Sequence, residues 1–105
     1  MQTFIMLTRL VSEEVNPSFN IQSKEMTVKN KVATYCPDIE WVNDYAILGP
    51  WDYLDVIRAP DMEAAMHASA LVRYYGGCHT ELWPAVSWDK FKTGLQELIQ
   101  VMEKD

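Results

Sequence analysis

Four stretches of this chain have the patterns of β-strands, and apolar residues recur at helical spacing along three others. The predicted strands are residues 3–11, in which both alternating sets are apolar, and residues 39–48, 53–59 and 78–86. The stretches with helical spacing are residues 24–36, residues 62–75 and a C-terminal segment that follows Ser87. The predicted order is β-α-β-β-α-β-α, a split βαβ arrangement with one extra helix. We therefore expect a single α+β domain of the ferredoxin-like type with an antiparallel four-stranded sheet.

Residues with capping preferences mark the ends of the predicted helices. Ser23, Asp61 and Ser87 each precede a helix, and their side chains can accept its first backbone N–H groups. Pro37 ends the first helix, and Gly76 is suited to end the second in a left-handed conformation.

Two segments complete the local predictions. Residues 12–22 are polar and contain an Asn-Pro pair, so we expect a loop or a single helical turn there. Pro84 lacks a backbone N–H and therefore predicts that the fourth strand is an edge strand or is bulged.

The first and last helices each carry an apolar face. In the first helix this face comprises Val28, Val32, Tyr35 and Cys36. In the last helix it comprises Trp88, Phe91, Leu95, Leu98, Ile99 and Met102, at spacings of 3, 4, 3, 1 and 3. Such faces are normally buried, so we expect the last helix to pack on a sheet or on a neighbouring subunit.

The first strand is apolar on both faces, which predicts that both faces are covered. Phe4 and Met6 belong to one face, and Ile5 and Leu7 belong to the other. Helices in this topology cover only one face of the sheet. With 49% hydrophobic residues in 105, the chain also has many large side chains for so small an interior. We therefore expect an isologous homodimer, or a larger homo-oligomer, in which two sheets face each other around a barrel-like centre.

Charge and composition exclude several classes of partner. A net charge of −6 and scattered basic residues argue against nucleic acid and against an acidic membrane surface. The sequence contains no apolar stretch near the roughly 18 residues that span a bilayer and no ordinary signal peptide, so we expect a cytoplasmic protein. Cys36 and Cys78 form no CxxC motif and are expected to stay reduced. We predict neither a metal site nor a cofactor, because no zinc-type spacing, glycine-rich phosphate loop or Ser/His/Asp triad occurs.

Four short motifs follow one another in a set order. They are Thr3-Phe4-Ile5-Met6-Leu7-Thr8, Leu48-Gly49-Pro50-Trp51-Asp52, Ala59-Pro60-Asp61 and Thr80-Glu81. In these motifs and their spacing, nearly the whole chain resembles the GYD-domain family, small proteins of the dimeric α/β-barrel group. The resemblance implies an oligomeric α/β barrel and supplies neither a reaction nor a catalytic set. Trp51 and Asp55 depart from the family pattern, in which Tyr and an aliphatic residue are usual at these positions.

Asp55, His79 and Glu81 are the candidate catalytic residues. If Leu54 and Val56 pack under the helices, Asp55 points into the space between two sheets, where burial would raise its pKa. His79 and Glu81 share one face of the fourth strand, and with Asp55 they could form an acid/base cluster or a weak metal site. Alternatively, His79 and Glu81 lie at a solvated edge and Asp55 bonds a Tyr or a backbone group. Perturbed groups often have such structural roles.

Four aromatic residues are candidates for binding a ligand. Trp41, Trp51, Tyr53 and Trp83 could line an apolar cavity, or they could fill a subunit interface. The predicted function is a homo-oligomeric domain that binds a small apolar or aromatic molecule, or has an accessory role. One alternative is a cofactor-free enzyme, monooxygenase- or isomerase-like, acting on an aromatic substrate, by analogy with similar barrels. Another is a structural assembly protein.

Overall fold

The described part of the chain forms one antiparallel sheet and three helices in the predicted order. A computed structural model of the chain describes residues 1–11 and 21–105. Its elements are β1 (Gln2–Leu10), α1 (Ile21–Tyr35), β2 (Glu40–Ala46), β3 (Tyr53–Ala59), α2 (Met62–Gly76), β4 (Cys78–Ala85) and α3 (Trp88–Glu103). The predicted α+β class and element order are confirmed. Most of the loop predicted at 12–22 lies outside the described residues, and its last two positions belong to α1.

The four strands are hydrogen-bonded in the order β2-β3-β1-β4, with every neighbouring pair antiparallel. This is the ferredoxin-like arrangement, and the sheet is open, with β2 and β4 at its edges. The position of β4 confirms the edge strand that Pro84 predicts.

A bulge in β2 changes which residues face the helices. Trp41 lies opposite Ile57, but the next paired position joins Asn43 to Val56, so one extra residue is inserted in β2. Because side chains alternate along a strand, this insertion moves every later residue of β2 to the other face. Trp41 and Asp44, three positions apart, therefore lie on the same face.

Helices α1 and α2 cover one face of the sheet, which we call the helix face. The buried cluster between the layers comprises Phe4, Met6, Val32, Ile57, Ala59, Ala65, Ala68 and Val72. The α1 backbone approaches α2 more extensively than it approaches any strand. We call the opposite side of the sheet the open face.

The predicted caps of the second and third helices are confirmed. Asp61 accepts a hydrogen bond from the Ala64 N–H at 2.8 Å, and Ser87 accepts one from the Lys90 N–H at 3.2 Å. Ser23 does not cap α1, which begins two residues earlier, at Ile21.

The end of α2 and the inner face of α1 each need one correction. Gly77, at φ 60°, is the left-handed residue that ends α2, and Gly76 is still helical. A side chain at Gly76 would bring a Cβ to 3.1 Å from the Cys78 Sγ, so close packing accounts for this second glycine. Val32 of α1 is buried, but Tyr35 is 62% exposed because it is the last residue of the helix and points to solvent.

Helix α3 does not pack on the sheet of its own chain. None of its residues is buried among the described parts of the structure, and Leu98 is 55% exposed. The radius of gyration is 17.2 Å, compared with about 13 Å for a compact domain of this length. The apolar face predicted for this helix is therefore present but uncovered within the described chain.

Asp52 ties the β2–β3 turn to the end of β1. Its carboxylate accepts a hydrogen bond from the Leu10 N–H at 2.8 Å, and its own N–H donates to the Thr8 carbonyl at 2.8 Å. Its carbonyl accepts from the Ile47 N–H at 2.9 Å, which closes the turn. The turn motif therefore holds two separate parts of the chain together.

Replacing Asp52 should destabilise the fold. In Asp52→Ala the part-buried Leu10 N–H loses its acceptor, and we expect the free energy of unfolding to fall by about 1–3 kcal/mol. Urea denaturation measures this loss, with Asp38→Ala in the exposed α1–β2 turn as a control that should change stability by less than about 0.5 kcal/mol. Equal stability of the two variants would contradict the role of Asp52 in holding the β2–β3 turn to β1.

Candidate functional site

A cleft of about 340 Å³ opens between α1 and the sheet. Its walls come from both helices of the helix face and from all four strands. The lining residues are Thr8, Leu10, Lys24, Glu25, Val28, Lys29, Trp41, Asp44, Tyr45, Ala46, Tyr53, Asp55, Val72, Gly76 and Cys78. The cleft exists because α1 leans against α2 and leaves space over the β2–β3 side of the sheet.

Two carboxyl groups lie side by side in this cleft. Asp44 and Asp55 are directly opposite each other in the β2–β3 register, and their side chains share a hydrogen bond. The pKa of Asp55 is raised to about 7, first by burial and then by the hydrogen bond and charge of Asp44, while the charge of Lys29 opposes the rise. The hydrogen bond from Asp55 and the contact with Lys29 lower the pKa of Asp44. Between about pH 4 and pH 7 the pair therefore holds one proton, on Asp55.

Lys29 connects this carboxyl pair to the aromatic wall of the cleft. Its Nζ donates to the Asp44 Oδ2 at 2.8 Å and lies 5.2 Å from the centre of the Trp41 ring. Burial opposes the charge on Lys29, but the hydrogen bond and charge of Asp44 raise the pKa of its amine overall. The polar end of the cleft is thus an ordered set of one ammonium, one carboxylate and one titratable carboxyl group.

The structure separates the three candidate catalytic residues. Asp55 lies opposite Met6, whose side chain belongs to the buried core, so Asp55 is on the helix face. His79 and Glu81 lie opposite Arg9 and Leu7, on the open face of an edge strand, and both are exposed.

The placement of Asp55 between two sheets assumed that Leu54 and Val56 pack under the helices, and this assumption is wrong. Leu54 and Val56 point to the open face, because Met6 and Asp55 pair across the strands on the helix face. Tyr53 and Ile57 flank Asp55 on the helix face. Met6 and Phe4 lie opposite Asp55 and Ile57 on this same face, which is the one that the helices cover.

The four candidate aromatic residues divide between the cleft and other surfaces. Trp41 and Tyr53 line the cleft. Trp51 stacks under the Arg9 guanidinium, whose central carbon lies 5.5 Å from the ring centre. Trp83 is on the open face, where its indole N–H donates to the Glu81 carboxylate at 2.9 Å.

The cysteines are not joined by a disulfide. Cys78 lines the cleft, and its Sγ donates a weak hydrogen bond to the Val72 carbonyl at 3.5 Å. Burial raises the pKa of the Cys36 thiol, which disfavours the reactive thiolate. Within residues 1–11 and 21–105, no group of three or more His, Cys, Asp or Glu side chains is arranged to hold a metal ion.

Asp44 and Lys29 are the two site residues that the sequence did not reveal. Strict alternation along residues 39–48 puts Asp44 on the opposite face from Trp41, and only the bulge brings them together. Lys29 lies on α1 with Lys24 and Glu25, in a charged stretch that is typical of a solvated helix surface. Neither residue belongs to a motif that sequence analysis could have used.

The arrangement is suited to two kinds of chemistry. The apolar and aromatic walls can bind a planar hydrophobic body, while the carboxyl pair can accept or donate hydrogen bonds at its end. A carboxyl group with a pKa near 7 can also take up and release a proton at neutral pH.

Comparison with known proteins identifies the family. The GYD domain model matches residues 4–95, which include the four motifs noted in the sequence except for Thr3. The chain belongs to the GYD domain family. Comparisons with curated proteins and with solved structures gave no match. Among the helices the structure describes, none is both long and apolar enough to cross a membrane.

The raised pKa of Asp55 should appear in the pH dependence of stability. The folded chain keeps a proton on Asp55 that the unfolded chain releases from about pH 4 upward, so the stability contributed by this group falls as pH rises towards 7. Asp55→Asn cannot ionise and should lack this fall. Allowing for the partial exposure of the group, we expect the variant to gain about 1–3 kcal/mol relative to the unmodified chain between pH 5 and pH 8.5.

Urea denaturation across this pH range provides the measurement, and Asp38→Asn in the exposed turn is the control. Asp44 has a lowered pKa, so its own contribution is lost only as pH falls below about 4, outside the measured range. The same pH dependence in the chain and in Asp55→Asn would contradict a protonated Asp55.

Proposed function

We propose that the chain is a homo-oligomeric domain that binds a small molecule with an apolar or aromatic body. The observation that carries this proposal is the cleft between α1 and the sheet. Its volume of about 340 Å³ falls within the range of small-molecule sites, and Trp41 and Tyr53 contribute to its walls. Its polar groups include the hydrogen-bonded Lys29–Asp44–Asp55 set, which can orient a ligand.

Two uncovered apolar surfaces support the homo-oligomer. The apolar face of α3 is exposed along its length, with Leu98 and Phe91 55% and 48% exposed. The open face of the sheet carries Ile5, Leu54 and Val56, which are half-buried, with no helix over it in the described chain. Exposed apolar surfaces such as that of α3 mark interaction sites, and a second copy offers both surfaces in matching number. A barrel-like dimer that packs two open faces together is the assembly we expect.

A cofactor-free enzyme acting on an aromatic substrate is the second candidate, and one observation favours it. Asp55 lies in the cleft and has a pKa of about 7, which suits a general acid or base at neutral pH. Asp55→Asn would then abolish turnover and leave folding and assembly intact.

Light scattering tests the assembly. We expect a dimer or larger species at micromolar concentration, because obligate interfaces bury on the order of 2,000 Å² or more. If α3 is buried between subunits, Leu98→Ala should lower stability by about 2–5 kcal/mol, although Leu98 is exposed in the single chain. Thr93→Ala, on the opposite side of α3, is the matched control.

A well-folded monomer at micromolar concentration would contradict the homo-oligomer. So would a Leu98→Ala variant that loses no more stability than Thr93→Ala, because both residues would then face solvent.

Ligand binding can be tested with indole as a neutral aromatic probe. In a ¹H–¹⁵N spectrum of the labelled chain, we expect the indole N–H signal of Trp41 to shift on titration. Ala46→Trp should weaken this binding at least about fivefold, because Ala46 lines the cleft and a larger side chain there occupies it. Ala33→Trp, on the exposed surface of α1, should bind indole like the unmodified chain.

The other three tryptophans, Trp51, Trp83 and Trp88, act as internal controls because they do not line the cleft. An unchanged Trp41 signal at saturating indole would overturn the cleft as the binding site.

A further inference from the structure

We propose that the cleft selects aromatic molecules whose polar group donates N–H hydrogen bonds, such as amides and amidines, and discriminates against aromatic carboxylates. This inference rests on the proposed function, since it takes the cleft to be the ligand site. It follows from the hydrogen bonds that the groups at the polar end of the cleft already make with one another.

Two donors at the polar end, one N–H of Lys29 and the proton of Asp55, are engaged by the protein itself. The Lys29 ammonium donates to the Asp44 carboxylate at 2.8 Å. The proton held by Asp55 lies in its hydrogen bond with Asp44. Both carboxyl groups retain lone pairs, because each oxygen can accept more than one hydrogen bond. What the carboxyl pair offers to a ligand is therefore mainly acceptors, which an N–H donor satisfies and a carboxylate does not.

The charges around the cleft give an anion no net attraction. Lys24, Glu25 and Lys29 face the cleft from α1, and Asp44 and Asp55 face it from the sheet. With Asp55 protonated these charges sum to zero, and with Asp55 ionised they sum to −1. The whole chain carries −6, so its long-range field also opposes the approach of anions.

Three further titratable side chains, on three strands, line the cleft. Tyr45 and Tyr53 come from β2 and β3, and burial raises the pKa of Tyr53, so its hydroxyl stays neutral. Cys78 comes from β4, and β1 and α2 contribute Thr8, Leu10, Val72 and Gly76, which do not titrate.

The walls are suited to the aromatic part of such a ligand. Trp41 and Tyr53 lie on the helix face of neighbouring strands, where they flank the carboxyl pair along the sheet. Val28 and Val72 add apolar surface from the two helices. A flat ring between these groups places its substituent at Asp44 and Asp55.

Three probes of the same size and shape test the selection. Benzamide, benzamidine and benzoate each carry one phenyl ring and differ in the charge and donor capacity of the substituent. Binding to the unmodified chain is followed through the Trp41 indole N–H signal, with Kd values on the order of 1 mM expected for molecules this small. We expect benzamide and benzamidine to bind at least about tenfold more tightly than benzoate at pH 7.5.

The pH dependence separates the two favoured probes. As pH rises from 5.5 to 8.5, Asp55 ionises and gains attraction for a cation, so the Kd of benzamidine should fall about tenfold. The Kd of benzamide should change by less than about threefold. In Asp55→Asn the gain for benzamidine should vanish, while benzamide still binds through the amide oxygen that replaces the carboxyl.

The outcomes distinguish this inference from the proposed function. If benzoate binds as tightly as benzamide, the selection is overturned and the cleft remains a small-molecule site. A benzamidine Kd with the same pH dependence in the unmodified chain and in Asp55→Asn also overturns it. If indole and all three probes leave Trp41 unchanged, the proposed function fails, and the selection fails with it.

Discussion

The candidate site depends on the single extra residue that the bulge inserts into β2. Without it, the alternation of side chains would send Asp44 to the open face, away from Asp55, Lys29 and Trp41. With the bulge, the Asp44 side chain lies on the helix face and becomes the partner of the half-buried Asp55 carboxyl group. The hydrogen bond between the two carboxyls and the polar end of the cleft follow from this one irregularity in strand pairing, and Asp44 adds to the rise that burial causes in the pKa of Asp55.

The rest of the fold keeps the cleft open and in place. Asp52 fixes the β2–β3 turn to β1, so the strands that carry the carboxyl pair are anchored at the end near the cleft. Gly76 allows α2 to approach Cys78 and Val28 closely, while the α1 backbone approaches α2 more extensively than it approaches the sheet. Helix α3 stays uncovered in the described chain. The surface that we assign to self-association is therefore separate from the cleft that we assign to ligand binding.

Much of the fold could be predicted from local sequence patterns. Alternation, caps and turn residues predicted the seven elements, and the bounds of β3 were predicted without error, because these signals act over a few residues. The candidate site was harder to predict. Asp55 was recognised as a charged departure in an apolar strand, but its face depends on pairing with Met6, far away in sequence. Asp44 and Lys29 could not be found, because neither the bulge nor the approach of α1 to β2 is encoded in a local motif.

The central claim is that Asp55 shares a proton with Asp44 in the cleft at near-neutral pH. The most direct test is a ¹³C nuclear magnetic resonance titration of the assigned aspartate side-chain carboxyl carbons. We expect the Asp55 carboxyl to titrate with a pKa of about 7, and to titrate at lower pH in Asp44→Asn, where the neighbouring charge is removed. An Asp55 pKa near its ordinary value of 3.8, unaffected by Asp44→Asn, would contradict the account.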